Sequence, residues 1–165
     1  MVQENVHKHV TAMDMKMTAK IKKTKYGHLH GELSCKFFDE PFLFSNIMNM
    51  IEMMEITFDT KGFPERQYLP RAFNGTIERI RKNQIDLPTL VKERSLTHEQ
   101  TLLDNSANIT SGEKQKEKEC TFEILVRFRH NAEWQGSVNW LEQGKNLGFS
   151  SIVELMKHID NALME

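Results

Sequence analysis

The chain has 165 residues, 39% of them hydrophobic and 27% charged, and a formal net charge of −1. That length suits one domain or two small halves sharing a core, and the near-neutral balance excludes a generally basic nucleic-acid coat or an acidic tail, leaving only local patches. Cys35 and Cys120 stand far apart with no CxxC pair, which excludes a disulfide framework or zinc knuckle and points to a reducing cytoplasm, and no run approaches 18 apolar residues, so no membrane span is expected.

Residues 1–14 lack the apolar core of a signal peptide and read as a flexible N-terminus. The first structured unit is expected over 15–60. Met17, Ala19 and Ile21 alternate with Lys16, Lys20 and Lys22, the period-two mark of a half-buried strand. KYGH (25–28) reads as a hairpin turn, and a second strand follows with Leu29, Gly31, Leu33, Cys35 and Phe37 in phase. FLF (42–44) is a short third strand. Asn46 then suits an N-cap, after which Ile47, Met50, Ile51, Met54 and Phe58 recur at helical spacing.

Residues 61–119 read as an irregular connection and a mobile polar linker. GFPERQYLPRAFNG (62–75) carries two prolines and two glycines. TIERIRKNQIDL predicts a short helix broken before Pro88, and DNSANITSGEKQKEKE (104–119) is almost devoid of apolar residues.

Residues 120–165 repeat the first unit. Phe122, Ile124, Val126 and Phe128 alternate with Glu123, Arg127 and Arg129. NAE (131–133) is a turn, and Trp134, Gly136, Val138 and Trp140 form the next strand, before LGF (147–149). Ser151-Ile-Val-Glu154 is a capping box, and Ile152, Leu155, Met156, Ile159 and Leu163 keep helical spacing. A shift of 105 residues superposes the two units without a gap, matching Gly31 with Gly136, Phe44 with Phe149, Ser45 with Ser150 and Ile47 with Ile152. The expected fold is α+β: two tandem β-β-β-α repeats about a pseudo-twofold axis, forming a mostly antiparallel sheet with both helices on one face. The shared glycine is expected to make room for a helix or a bulky neighbour.

The usual catalytic signatures are absent: no GxxxxGK[ST], GxGxxG, GxSxG or HExxH, since the near miss at His98-Glu99 has Leu102 in the second histidine position. His28 and His30 could share a strand face with Glu32, but a polar outer face explains them as well, so no metal and no cofactor is expected. Cys35 falls on the apolar phase of its strand, where a buried thiol is ordinary. Glu52, Glu55 and Asp160 read as outer-face helix residues.

Two binding surfaces remain. Met48 and Met53 widen the apolar stripe of the first helix, and Trp134 at a strand end could anchor an interface, so these three are the candidate partner-binding residues of a non-enzymatic binding or regulatory module. The alternative is nucleic-acid binding by the lysine-rich hairpin, through Lys16, Lys20, Lys22, Lys23, Lys25 and Tyr26, with Arg127 and Arg129 on the corresponding face of the second unit. Lysines that only keep an edge strand soluble would look the same. Open outer strands also allow a homodimer that extends the sheet.

Phe128, Arg129, Asn131, Ala132, Trp134, Gln135, Gly136, Val138 and Trp140, then Phe149, Ser151, Asp160, Ala162 and Leu163, form a pattern that resembles a widespread family of small, functionally uncharacterised bacterial proteins. The motif there is Phe-Arg-x-Asn-Ala-x-Trp-Gln-Gly-x-Val-x-Trp, followed by Phe-x-Ser and a helix ending in Asp-x-Ala-Leu. The first unit with its GFPERQYLPRAF tail is similar to the companion half of such proteins. This chain departs in having His130 and Ser150 where glutamine and arginine are expected. The resemblance implies the same division of the chain and carries no activity with it.

Overall fold

The computed structural model describes residues 9–67, 85–107, 117–130 and 133–165. Strand β1 (Met17–Lys23) arises from the expected alternation: Met17, Ala19 and Ile21 are wholly buried, and Lys20 and Lys22 take the opposite phase. It turns at Thr24, whose hydroxyl accepts the His28 N–H while Gly27 takes the left-handed conformation at φ +85° that the tight turn needs. β2 (Leu29–Cys35) and β3 (Phe42–Phe44) complete a meander. Helix α1 (Ile47–Lys61) starts at Asn46, whose side chain accepts the Asn49 N–H at 3.0 Å, and stops at Gly62, which is left-handed.

A two-residue strand, β4 (Arg66–Gln67), leads out of the first half. Within the connection expected to be irregular, Leu87–Ala107 form a 21-residue helix, α2. Pro88 occupies its first turn, where no N–H is needed, so the proline opens this helix. The short helix expected upstream, the middle of the polar linker and the NAE turn fall largely outside the described residues. Within the N-terminal segment, Met13–Met15 form one 3-10 turn, held by the Asp14 carboxylate accepting from Thr11, and Met15 enters the core.

The second half supplies β5 (Lys118–His130), β6 (Glu133–Trp140), β7 (Lys145–Phe149) and helix α3 (Ile152–Met164). Ser151 accepts the Glu154 N–H at 3.0 Å, and the Glu154 carboxylate accepts the Ser150 N–H at 2.7 Å. The described residues thus make an α+β fold with a seven-stranded, mostly antiparallel sheet in the order β3-β2-β1-β5-β6-β7, β4 alone running parallel to β5. None of their helices is long and apolar enough to cross a membrane.

Pairing registers repeat along the chain. Met17 faces Cys35 as Phe122 faces Trp140, and Gly31 faces Phe44 as Gly136 faces Phe149; each second pair lies 105 residues beyond the first. Where the halves meet, Thr18 faces Glu123, itself 105 residues away. The glycines have first a backbone reason, and only at Gly136 is the expected bulky neighbour also present, the Phe149 ring 3.0 Å from where a Cβ would lie. A Cβ on Gly31 would lie 1.9 Å from the Lys20 carbonyl oxygen, and one on Gly136 would lie 1.9 Å from that of Leu125. Both strands therefore need a residue with no side chain where the neighbouring backbone closes in.

The pairing of β5 with β6 slips by one residue, a β-bulge, between Val126 and Phe128. Strict alternation would bury Phe128 and expose Arg129; the extra residue inverts the phase. Phe128 is 53% exposed and Arg129 only 3%.

Candidate functional site

Arg129 enters a charged cluster beneath α1. Its Nε donates to the Pro64 carbonyl at 2.7 Å, and its Nη1 donates to Glu55 Oε2 at 3.0 Å and Asp59 Oδ1 at 2.9 Å. Arg66 grips Asp59 with two bonds of 2.9 and 2.7 Å and also reaches Glu55. The indole N–H of Trp134 donates to the remaining Glu55 oxygen. Two guanidiniums balance two carboxylates, so the cluster ties α1 to β4, β5 and β6 with no free charge. Glu55 is therefore no ordinary outer-face acid. The signal that could have found it is a bulge, which leaves no mark in an alternating pattern.

This geometry removes three of the candidate binding residues. Arg129 cannot reach a phosphate backbone from inside the ion cluster. Trp134 is buried with its indole on Glu55, and Met53 is buried in the core, because α1 turns that side toward the packed interior. Met48 remains, 59% exposed in the first turn of α1.

The lysine hairpin is largely neutralised. Lys16 pairs with Glu123 at 2.8 Å, Lys22 with Glu119 at 3.4 Å and Lys23 with Asp160 at 2.6 Å. Lys20 is exposed and faces Glu32 across the strands, while Lys25 lies 5.0 Å over the exposed ring of Tyr26. Exposed Arg127 sits beside a different feature, the ring of Phe128 stacked on His130 at 5.5 Å and 27°.

No group of three metal-ligating side chains occurs among the described residues, and His30 Nε2 lies 3.5 Å from a Glu117 carboxylate oxygen. Burial pushes both the Cys35 and the Cys120 thiol up, away from the thiolate a nucleophile needs.

A surface groove of about 350 Å³ lies between β7 and α3. Its apolar floor is Trp140, Leu147 and Ala162, and its rim is Lys145, His158, Asn161 and Glu165. Lys145 crosses the Trp140 ring at 5.2 Å and bonds Glu165 at 3.1 Å, which holds that carboxyl below its usual range. His158 Nε2 lies 3.0 Å from the Gly148 carbonyl, fastening α3 to β7.

The corresponding side of the first half is filled. There α2 runs along β3: the Leu43 N–H donates to Ser95 Oγ at 2.9 Å, His98 meets the Phe42 ring edge-on and lies 3.3 Å from the Ser45 hydroxyl, and Arg94 pairs with Glu52 at 2.8 Å. Val91 reaches the core. Burial and the nearby Arg94 charge push the His98 pKa down, favouring the neutral ring that this packing needs. Phe42 is consequently 1% exposed, whereas Leu147, 105 residues later, is 38% exposed. Compared with known proteins, the chain matches no family model, no curated protein and no solved structure.

Proposed function

We propose that the chain is an internally duplicated, non-enzymatic binding module of the cytoplasm that works through contacts with other polypeptides, its main contact surface being the groove between β7 and α3. Duplication is supported by the repeated pairing registers, by the matched caps at Asn46 and Ser151, and by two glycines barred from a side chain by equivalent carbonyls. It is also supported by two crossed ion pairs. Glu55 of α1 binds Arg129 at the end of β5, and Asp160 of α3 binds Lys23 at the end of β1. Allowing for the one-residue bulge, those basic positions are equivalent. In this reading both helices lie on one face, since Met50 and Met54 of α1 join Leu155 and Ile159 of α3 in a single buried cluster with the inward side of β1 and β5.

The observation that carries the binding reading is the groove. It has the apolar floor and polar rim of a protein interface, and along the equivalent strand of the first half, β3, lies a helix of the same chain. A photo-crosslinking amino acid at position 147, introduced in native cells, is expected to capture protein, while the same residue at position 32 on the open polar face of the sheet is not. No adduct at 147 would overturn the reading.

One feature favours nucleic-acid binding as a second reading. The bulge presents Phe128, stacked on His130 and flanked by Arg127, from the sheet face that no helix covers among the described residues. An exposed aromatic beside an arginine suits stacking on an unpaired base. Single-stranded RNA titrated with Phe128→Ala should then bind at least about tenfold more weakly than with the native chain, given stacking energies of about 1–3 kcal/mol per base. Equal binding, or none by the native chain at low salt, removes this reading.

A further inference from the structure

We infer that the β7/α3 groove receives the outer face of helix α2 of a second copy of this chain, each α2 staying packed on its own β3, so that two chains close as a twofold dimer. The inference rests on the reading of the groove as a protein-binding surface and names its occupant. The first half shows what such a surface holds: α2 lies along β3 there, with Ser95 satisfying the edge-strand amide of Leu43. In the second half the equivalent amide belongs to Gly148, and the equivalent of Phe42 is the half-open Leu147.

The helix itself has an unused face. Leu87, Val91, Ser95 and His98 point into the fold, while Leu96 and Leu103, two turns apart, point the opposite way and are 59% and 58% exposed. An apolar pair at that spacing on a solvated helix face has the anchor pattern of a helix laid in a groove. Glu93 and Glu99, both exposed, stand three residues to either side of Leu96.

Charge at the groove rim selects this face over the other. In the first half the rim acid Glu52 pairs with Arg94 on the inner side of α2. In the second half the position equivalent to Glu52 is the exposed Lys157, which directly precedes the rim residue His158 on α3. An arginine-bearing inner face would be repelled there, whereas Glu93 and Glu99 beside Leu96 match the cation. Reciprocal insertion uses both grooves and leaves none open, so the assembly stops at two chains.

Sedimentation velocity of the full chain over a wide concentration range tests this. The native chain is expected to reach twice its 19.3 kDa mass. Leu96→Glu on the helix and Leu147→Glu in the groove, both at partly exposed positions that leave the core intact, should each weaken association at least about tenfold, as loss of an interface anchor does. An equimolar mixture of the two variants should recover a dimer, because one intact helix then meets one intact groove. A native chain that stays monomeric, a dimer unaffected by either substitution, or a mixture that stays monomeric would each overturn the proposal. Monomeric behaviour with persistent crosslinks to other proteins at position 147 would overturn self-association alone; absence of any crosslink there would remove the groove reading as well.

Discussion

Gly136→Ala is expected to destabilise the protein by about 3 kcal/mol or more, a large share of the roughly 5–15 kcal/mol that holds a domain of this size together. A methyl group on Gly136 would lie 1.9 Å from the Leu125 carbonyl oxygen and 3.0 Å from the tip of the Phe149 ring. The ring could turn aside. The carbonyl cannot easily, because it belongs to the backbone of β5, paired there with β6 and, up to the adjacent Ile124, with β1. Relief requires β5 and β6 to part where Trp134, Val138 and Phe149 pack. Gly31→Ala meets the Lys20 carbonyl at the same 1.9 Å and should be damaging to a similar degree. Gly144→Ala is the control. Gly144 is left-handed at φ +61° with nothing within 4 Å of a new methyl group, so its cost is confined to backbone strain, about 1–2 kcal/mol. Urea unfolding of the three variants ranks them. If Gly144→Ala proves as harmful as the other two, the close approach of the strands is not what keeps residues 31 and 136 as glycine.

The glycines also show how far the sequence could be read. Their alignment was visible in a shift of 105 residues, and so were the strand phases and the caps, because burial of every second residue and a polar residue ahead of a helical stripe are local patterns. The cause of the glycines was not visible, since it lies in the carbonyl of a residue 11 positions away. Two other features escaped for the same kind of reason. Helix α2 carries a weak apolar stripe, because its inner face docks on only one strand edge through Val91, Ser95 and His98, and its outer face keeps Leu96 and Leu103. The bulge in β5 exchanges Phe128 for Arg129 at the core with no change in the alternation of residue types. The alternation therefore misplaces Arg129, which it turns outward and the bulge buries, while Lys20, Arg127 and the buried Trp134 lie on the side it gives them.

The exchange at the bulge makes Arg129→Met the second large expected effect. Methionine keeps much of the side-chain volume and removes three donated bonds, to Pro64, Glu55 and Asp59. It leaves the Pro64 carbonyl without its Arg129 partner and two carboxylates dependent on Arg66 alone among the cations described around them. Stripping one partner from a buried ion cluster costs about 3–5 kcal/mol, because the remaining charge keeps its desolvation penalty and loses its compensation. The equivalent bridge in the other half offers a built-in comparison. Lys23 and Asp160 join the same two positions, strand end to helix, yet the Asp160 side chain is 54% exposed. Lys23→Met should therefore cost less than about 1 kcal/mol, the range of solvent-screened pairs. The two substitutions differ in burial far more than in position, so urea unfolding of both isolates desolvation as the cause. A double-mutant cycle between Arg129→Met and Glu55→Gln adds the coupling directly, and a cycle that closes to zero would mean that Arg129 acts through its stem packed on Phe58, 5.3 Å below the guanidinium, instead of through the carboxylates.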